Sequence, residues 1–297
     1  KRKPIFRKPE TSIINTVLDE DWSLKGAKKQ AATEPEPVQL SEEALAAIPA
    51  SERYLALIAD VHANLPALES VLSYLEERGI SEGVVLGDLV GYGPDVLPVI
   101  ERIRESGFAV IKGNHDHATA QNDAGRGFSP NAKTVIEWTA KQIDDEARDW
   151  LMYLPPVLEN DEWMAVHGAP IDPEFFFGYV YAMTYSDNLD RLQEIKRRLC
   201  FHGHSHMPGI YARNGSGNDS HLTDTCISLR GYEHCLICPG SVGQPRNGNP
   251  DAQFAIYDRI KDEVDFITVP YGYDEVVERM KAQDFPSALW TRLPKGQ

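Results

Sequence analysis

From Tyr54 onward, short apolar runs alternate with stretches of helical period. Residues 54–60, YLALIAD, form an unbroken apolar run that closes on a polar residue, the pattern of a buried strand. NLPALESVLSYLEERG spaces its apolar residues for a helix and stops at Gly79. GVVLGD predicts a second strand, and PDVLPVIERIRESG a helix with proline near its start and Gly107 after its end. FAVIKGNHD predicts a third strand running into a loop. Residues 129–154 predict one or two helices, VLENDEWMAVHG a β-hairpin around Asn160 and Asp161, and residues 186–199 a further helix. RLCFHGHSHMPGIY reads as strand, loop and strand. CLICPGSVG, DAQFAIYDRI and DEVDFITVPY continue as strands, and a helix follows near 273–283. Strand–helix alternation followed by a β-rich half predicts an α/β fold with helices packed outside a sheet sandwich.

Residues 1–50 break from this texture. They mix charge, proline and alanine with weak periodicity, and read as an N-terminal extension to a domain spanning 51–297. SEEALAAI can form a turn or two of helix, with Ser41 as N-cap and Glu42 and Glu43 in the first turn. The net charge of the 297 residues is −15, yet residues 1–30 carry +4, which leaves −19 for the rest. The extension reads first as a partly ordered tail and alternatively as a basic arm for a partner or a second copy, while the acidic remainder argues against a nucleic-acid or anionic-membrane surface. With 42% hydrophobic and 25% charged residues the chain can bury a core unaided. No apolar run approaches the ~18–20 residues that span a bilayer, and no apolar stretch of a secretory signal follows the opening KRKPIFRKPE. The four cysteines suit a reduced, cytoplasmic setting. Cys235 and Cys238 form a CxxC, but strand alternation sends them to opposite faces, so buried thiols are expected rather than a zinc site.

The chemistry gathers where the strands end. Asp60 and His62 follow the first strand at i, i+2, a spacing that points two strand side chains the same way. Asp88 follows the second, Asn114 and His115 the third, His167 another, and His204 and His206 the next. Sites of α/β chains collect at the carboxyl ends of strands, and five of the nine histidines fall on these positions. Carboxylates, imidazoles and an amide oxygen without thiolate suit Mn, Fe, Zn, Co or Ni in a hydrolytic site. The set exceeds the needs of one ion and fits two divalent metal ions ~3.5–4 Å apart.

Asp60-Val61-His62, Gly87-Asp88, Gly113-Asn114-His115-Asp116, His167 and Gly203-His204-Ser205-His206 stand in an order that resembles the calcineurin-like metallophosphoesterases. The strings LGDLVGYGP, KGNHD and PGSVGQPR resemble the prokaryotic branch described as phosphodiesterases or diadenosine-tetraphosphatase-like proteins. The resemblance covers about residues 54–285 and implies a four-layer α/β/β/α sandwich. It implies that Asp60, His62 and His206 hold one ion, that Asn114, His167 and His204 hold the other, and that Asp88 bridges them. His115 would then lie outside the metal shell, face the phosphate and protonate the leaving group, while the cations, manganese first among the candidates, activate water for in-line attack.

Other residues invite weaker readings. Asp116 either orients His115 or caps its loop, and Tyr92 either shapes a tight turn or walls the substrate pocket. The aromatic stretch 175–181 either lines that pocket or packs in a core, and Arg126 and Arg246 are candidate phosphate contacts. His202 reads as packing, and His117, His221 and His234 as surface residues. Phosphoprotein phosphatases of this superfamily place an arginine shortly after the bridging aspartate, where this chain has Gly91-Tyr92-Gly93. A bidentate arginine suits a doubly charged terminal phosphate. Its absence from that loop favours small phosphodiester or nucleotide-type substrates. The alternatives are a phosphomonoesterase or protein phosphatase, or a non-catalytic metal-binding scaffold on the same fold.

Overall fold

The computed structural model describes residues 41–125 and 127–297. Most of the 1–50 extension, and the phosphate-contact reading of Arg126, therefore lie outside the described residues. The described chain opens with two short helices, α1 (Glu42–Ala46) and α2 (Ala50–Arg53), before β1 (Tyr54–Ile58). Then come α3 (Leu65–Glu76), β2 (Gly83–Val85), α4 (Val96–Ser106) and β3 (Ala109–Val110). Asn64 caps α3 by accepting the Ala67 N–H at 3.2 Å, and Gly107 ends α4 in a left-handed conformation.

Three helices follow: α5 (Asn114–Gln121), α6 (Pro130–Thr139) and α7 (Asp145–Tyr153). The GNHD segment thus opens a helix where the sequence predicted a loop. Asp116, at the third helical position, accepts the Gly113 N–H at 2.9 Å and closes the first turn. The hairpin β4 (Val157–Glu159) and β5 (Trp163–Val166) turns at Asn160, whose side chain accepts the N–H groups of Glu162 and Trp163.

The helix expected over 186–199 is α8 (Tyr185–Glu194). It stops early because Leu199–His202 is drawn into β6, which Lys196 reaches through a left-handed turn. The β-rich half continues with β7 (Gly209–Asn214), β8 (Asp219–Leu222), β9 (Cys226–Ser228), β10 (Tyr232–Cys238), β11 (Ala252–Asp258) and β12 (Glu263–Val269). The chain closes with α9 (Tyr273–Ala282), α10 (Ser287–Trp290) and a short 3-10 turn at Leu293–Lys295.

The strands form two six-stranded sheets, ordered β3-β2-β1-β11-β12-β9 and β4-β5-β6-β10-β7-β8. Residues along a strand alternate between faces. Leu57, Leu86 and Ile111 therefore meet Phe201, Ile210 and Ile237 between the sheets. Ile58 and Ile256 turn outward under Leu68 of α3 and Ile103 of α4. On the far side, Val166 and Leu236 turn outward under Leu189 and Leu192 of α8. Both faces of the central strands are covered, which is why they read as continuous apolar runs. The result is the expected four-layer α/β/β/α sandwich. Cys235 lies in the inter-sheet core with Ile237, Cys238 is buried beside the Ser205 hydroxyl, and all four cysteines are free thiols. Among the described residues no helix is long and apolar enough to cross a membrane.

β1, β2 and β3 run parallel in the first sheet, as do β5, β6 and β10 in the second. Their carboxyl ends share one edge of the sandwich, and the polar loops open there.

Candidate metal centre

Five of the candidate ligands on these loops hold left-handed backbone, Asp60 (φ 53°), His62 (48°), Asp88 (53°), His204 (63°) and His206 (57°), as do Ala63 and Tyr92 beside them. The two residues of the DxH pair therefore share one site by curling out of the strand end, and not by strand alternation. The curl is held by backbone bonds between the first two loops: His62 N–H donates to Asp88 O at 2.9 Å, and Ala63 N–H to Leu89 O at 2.8 Å. The segment after β10 clamps them from behind, with Val242 and Gly243 N–H donating to Ala59 and Asp60 carbonyls at 3.0 Å.

The side chains converge in a way that calls for cations. His62, His167 and His206 each donate their Nδ1 proton to a carbonyl, those of Val90 (3.1 Å), Leu86 (2.7 Å) and Gln244 (2.6 Å). That fixes the tautomer and leaves each Nε2 with a lone pair facing inward. The Nε2 atoms of His62 and His206 stand 3.2 Å apart, and that of His206 is 3.5 Å from Asp60 Oδ1. The Nε2 of His167 is 2.9 Å from Asn114 Oδ1 and 3.4 Å from Asp88 Oδ2. The Nε2 of His204 is buried with no hydrogen-bond partner. Facing lone pairs repel unless a proton or a metal ion sits among them, so this oxygen and nitrogen donor set fits divalent cations. Ligand atoms of Asp60, His62 and His206 lie within 4.8 Å of one another, as do those of Asp88, His167 and His204.

The protonation pattern agrees. Burial holds His62, His204 and His206 well below the usual imidazole range, so all three are neutral near pH 7. Burial pushes Asp60 up to about 7. Burial acts against the Asp88 carboxylate as well, but His167, His115 and His62 outweigh it and hold Asp88 well below the carboxylate range. At His167 burial is outweighed by Asp88 and Asp60, which push it up to about 9, so a proton here can stand in for a cation.

His115 sits at this cluster, with ligand atoms of His62 and Asp88 within the same 4.8 Å. Its backbone N–H donates to Asp88 Oδ1 at 2.8 Å, and its Nδ1 is buried without a partner. The ring lies against Gly91, where an added Cβ would come within 2.2 Å of that Nδ1, and Gly91 itself holds φ 84°. Gly91→Ala should therefore push His115 out of place. Turnover should fall by on the order of 10²-fold, toward the loss of a proton-transfer group, with metal content retained. Steady-state kinetics beside elemental analysis checks this.

Asp116 takes the loop-capping role, not that of orienting His115. Its carboxylate accepts the N–H groups of Leu89 (2.9 Å), Val90 (3.3 Å) and Gly113, tying the GNHD turn to the GDLV turn. His202 is buried behind the cluster.

A cavity of about 300 Å³ opens over Asp88, Asn114, His115, His204 and His206. Tyr92 forms part of its wall, edge-on to His62 with ring centroids 4.7 Å apart. Phe177 and Tyr179 from the aromatic stretch line it too, whereas Phe176 is buried and Phe175 and Tyr181 are exposed. Arg246 reaches the same cavity, so the pocket is not without a guanidinium even though the loop after Asp88 lacks one. Sequence reasoning missed Phe128 and Ser129, which lie on the segment before α6; a phenylalanine next to glycine in a loop carries no periodic signal that could have found it.

Residues 54–262 match the calcineurin-like phosphoesterase superfamily domain. An uncharacterized protein of Methanocaldococcus jannaschii is 31% identical over 247 residues, which cover 82% of this chain and 98% of that protein. Phosphodiesterase YfcE of Escherichia coli is 26% identical over 211 residues, 66% of this chain and 83% of its own. A solved metallophosphoesterase from Sphaerobacter thermophilus shares 33% identity at a TM-score of 0.71, covering 82% of this chain and 99% of that one. The match runs through every loop that carries the buried carboxylates and imidazoles, so the chain belongs to the calcineurin-like phosphoesterase superfamily and is a hydrolase of phosphate-ester bonds.

Proposed function

We propose that this chain is a dinuclear metal-dependent phosphoesterase acting on phosphodiester or nucleotide-type bonds. The observation that carries the reading is the position of Asp88, whose Oδ2 lies 3.4 Å from His167 Nε2 and 3.7 Å from His62 Nε2, between two inward-facing donor groups. Asp60, His62 and His206 would hold one ion, Asn114, His167 and His204 the other, with Asp88 shared. Two bound divalent cations, with manganese the first choice, supply Lewis acidity and a water that is acidic near neutral pH.

The chain's own groups do the rest. The His204 N–H donates to both Asp60 carboxylate oxygens at 3.1 Å and fixes that carboxylate in place. The Asp88 carboxylate anchors the His115 backbone, and so sets the proton-transfer group at the cavity where the ester enters. The curated relative YfcE is named a phosphodiesterase, which favours diesters over phosphopeptides. Four free thiols fit a cytoplasmic location.

The test is hydrolysis of bis-p-nitrophenyl phosphate, cyclic nucleotides, diadenosine tetraphosphate and a phosphoserine peptide in matched assays. Turnover should vanish on chelation, return with Mn²⁺, and favour the diester and nucleotide substrates in kcat/KM. A metal-independent rate would overturn the dinuclear reading, and a clear preference for the peptide would overturn the substrate class.

A further inference from the structure

Arg246 lines the cavity with hydrogen-bonding capacity left unspent. It lies on the segment after β10, half-buried, and lines the cavity over the candidate metal centre. One Nη2 donates to Gln244 Oε1 at 3.2 Å, while its Nε is buried with no hydrogen-bond partner. Among the described residues no carboxylate pairs with it. The buried Asp60 carboxylate feels its charge without pairing with it, so the guanidinium keeps donor capacity for an anion that enters the cavity. Two contacts set its direction. Gln244, which holds the guanidinium, also accepts the His206 Nδ1 proton through its carbonyl, so Arg246 is tied to the metal-facing loops. The Tyr179 side chain lies beside Arg246, and its ring is tilted over His204 at 4.0 Å between centroids.

Two phenylalanines line the same cavity. Phe128 stands edge-on to His115 at 5.1 Å and to Phe177 at 5.0 Å. The cavity therefore brings together a cationic fork, aromatic side chains and buried histidines.

We propose that Arg246, positioned by Tyr179 and Gln244, clamps the non-bridging oxygens of the substrate phosphate, and that Phe128 and Phe177 seat a flat aromatic ester group beside it. This rests on the phosphoesterase reading above. A diester presents two non-bridging oxygens that share one negative charge, which matches the bidentate geometry of a single guanidinium. A nucleoside or aryl group would stack on the phenylalanine wall. The arginine absent from the loop after Asp88 is thereby supplied from the far half of the chain.

The experiment uses full-length protein loaded with Mn²⁺. Calorimetry follows binding of inorganic phosphate. Kinetics compare bis-p-nitrophenyl phosphate with ethyl p-nitrophenyl phosphate, which share a leaving group and differ in the second ester group. Arg246→Ala should weaken phosphate binding and raise KM by about 10- to 100-fold, the range of a hydrogen bond to a charged group, with metal content and thermal unfolding unchanged. Arg246→Lys, which keeps the charge and loses the fork, should fall between. Tyr179→Phe should raise KM severalfold. Phe177→Leu should lower the aryl-over-ethyl preference without altering phosphate binding. Wild-type phosphate affinity and KM in Arg246→Ala would overturn the clamp, and an unchanged aryl-to-ethyl ratio in Phe177→Leu would overturn the aromatic seat. A wild type inert on every ester, yet binding phosphate through Arg246, would overturn the hydrolytic reading alone.

Discussion

Asp88→Asn should leave the protein folded and nearly dead. The amide keeps an oxygen that can accept the His115 N–H, now 2.8 Å from Asp88 Oδ1, so the GNHD turn retains its anchor. The negative charge is lost, and it is that charge which both His62 and His167 approach. Bound metal should drop from about two ions per chain to less than one. Turnover should fall on the order of 10³-fold, beyond the ~10–100-fold typical of losing a group that merely supports a ligand. The metal-free variant should unfold at a lower temperature than metal-free wild type, since the change creates no cavity but takes from the buried, protonated His167 its counter-charge. Elemental analysis, kinetics and calorimetric unfolding together check the expectation; two retained ions with normal turnover would sink the bridging assignment.

His115→Ala should separate proton transfer from metal binding. A general acid or base is typically worth ~10²–10⁴-fold, so kcat should drop in that range while metal content holds. The loss should shrink for esters of p-nitrophenol, whose departure needs little protonation, and an equal loss on poor leaving groups would count against the acid role. The pH dependence carries a sign. Burial pushes His115 down to about 4 in the ligand-free pocket, with His167 and Arg246 lowering it further against the pull of Asp88. The ring is therefore neutral at pH 7 before substrate arrives, and an incoming phosphate anion is what favours the imidazolium. Since a histidine loses its proton as pH rises, the advantage of wild type over His115→Ala should be largest on the acid side and fade as pH climbs from about 4, the value in the ligand-free pocket, with a bound phosphate anion moving the fade upward. A ratio that stays flat over that climb would show that a neutral N–H donor suffices.

The strands and their terminal loops were legible because they combine two independent signals. Runs such as YLALIAD are apolar throughout since both faces are covered, and each breaks into Asp, His or Asn at the same edge of the sandwich. Other features left no comparable trace. α5 reads NHDHATAQ, with no apolar stripe, and is helical because Asp116 caps it and the surrounding core buries it. The strands β8 (DSHL) and β9 (CIS) are short, polar and at sheet edges, so their pairing is decided by the neighbours β7 and β12 and not by their own composition. Arg246 could be suspected but not placed, since its approach to His206 depends on how the segment after β10 folds back across the β1 loop.

The left-handed backbone beneath Asp60, His62, Asp88, His204 and His206 bears on how such a chain can drift. Outside glycine, this conformation is tolerated best by Asn, Asp and His, and poorly by β-branched residues. Those same side chains carry the oxygen and nitrogen donors that hard and borderline cations prefer. Two unrelated filters, one steric and one chemical, thus admit nearly the same few residues at each of these five positions. A descendant that abandoned hydrolysis would still be held close to the ancestral spelling there by its backbone. The decay of activity would be written first at Asn114, His115 and His167, whose backbones lie outside the left-handed region and leave a wider range of replacements open.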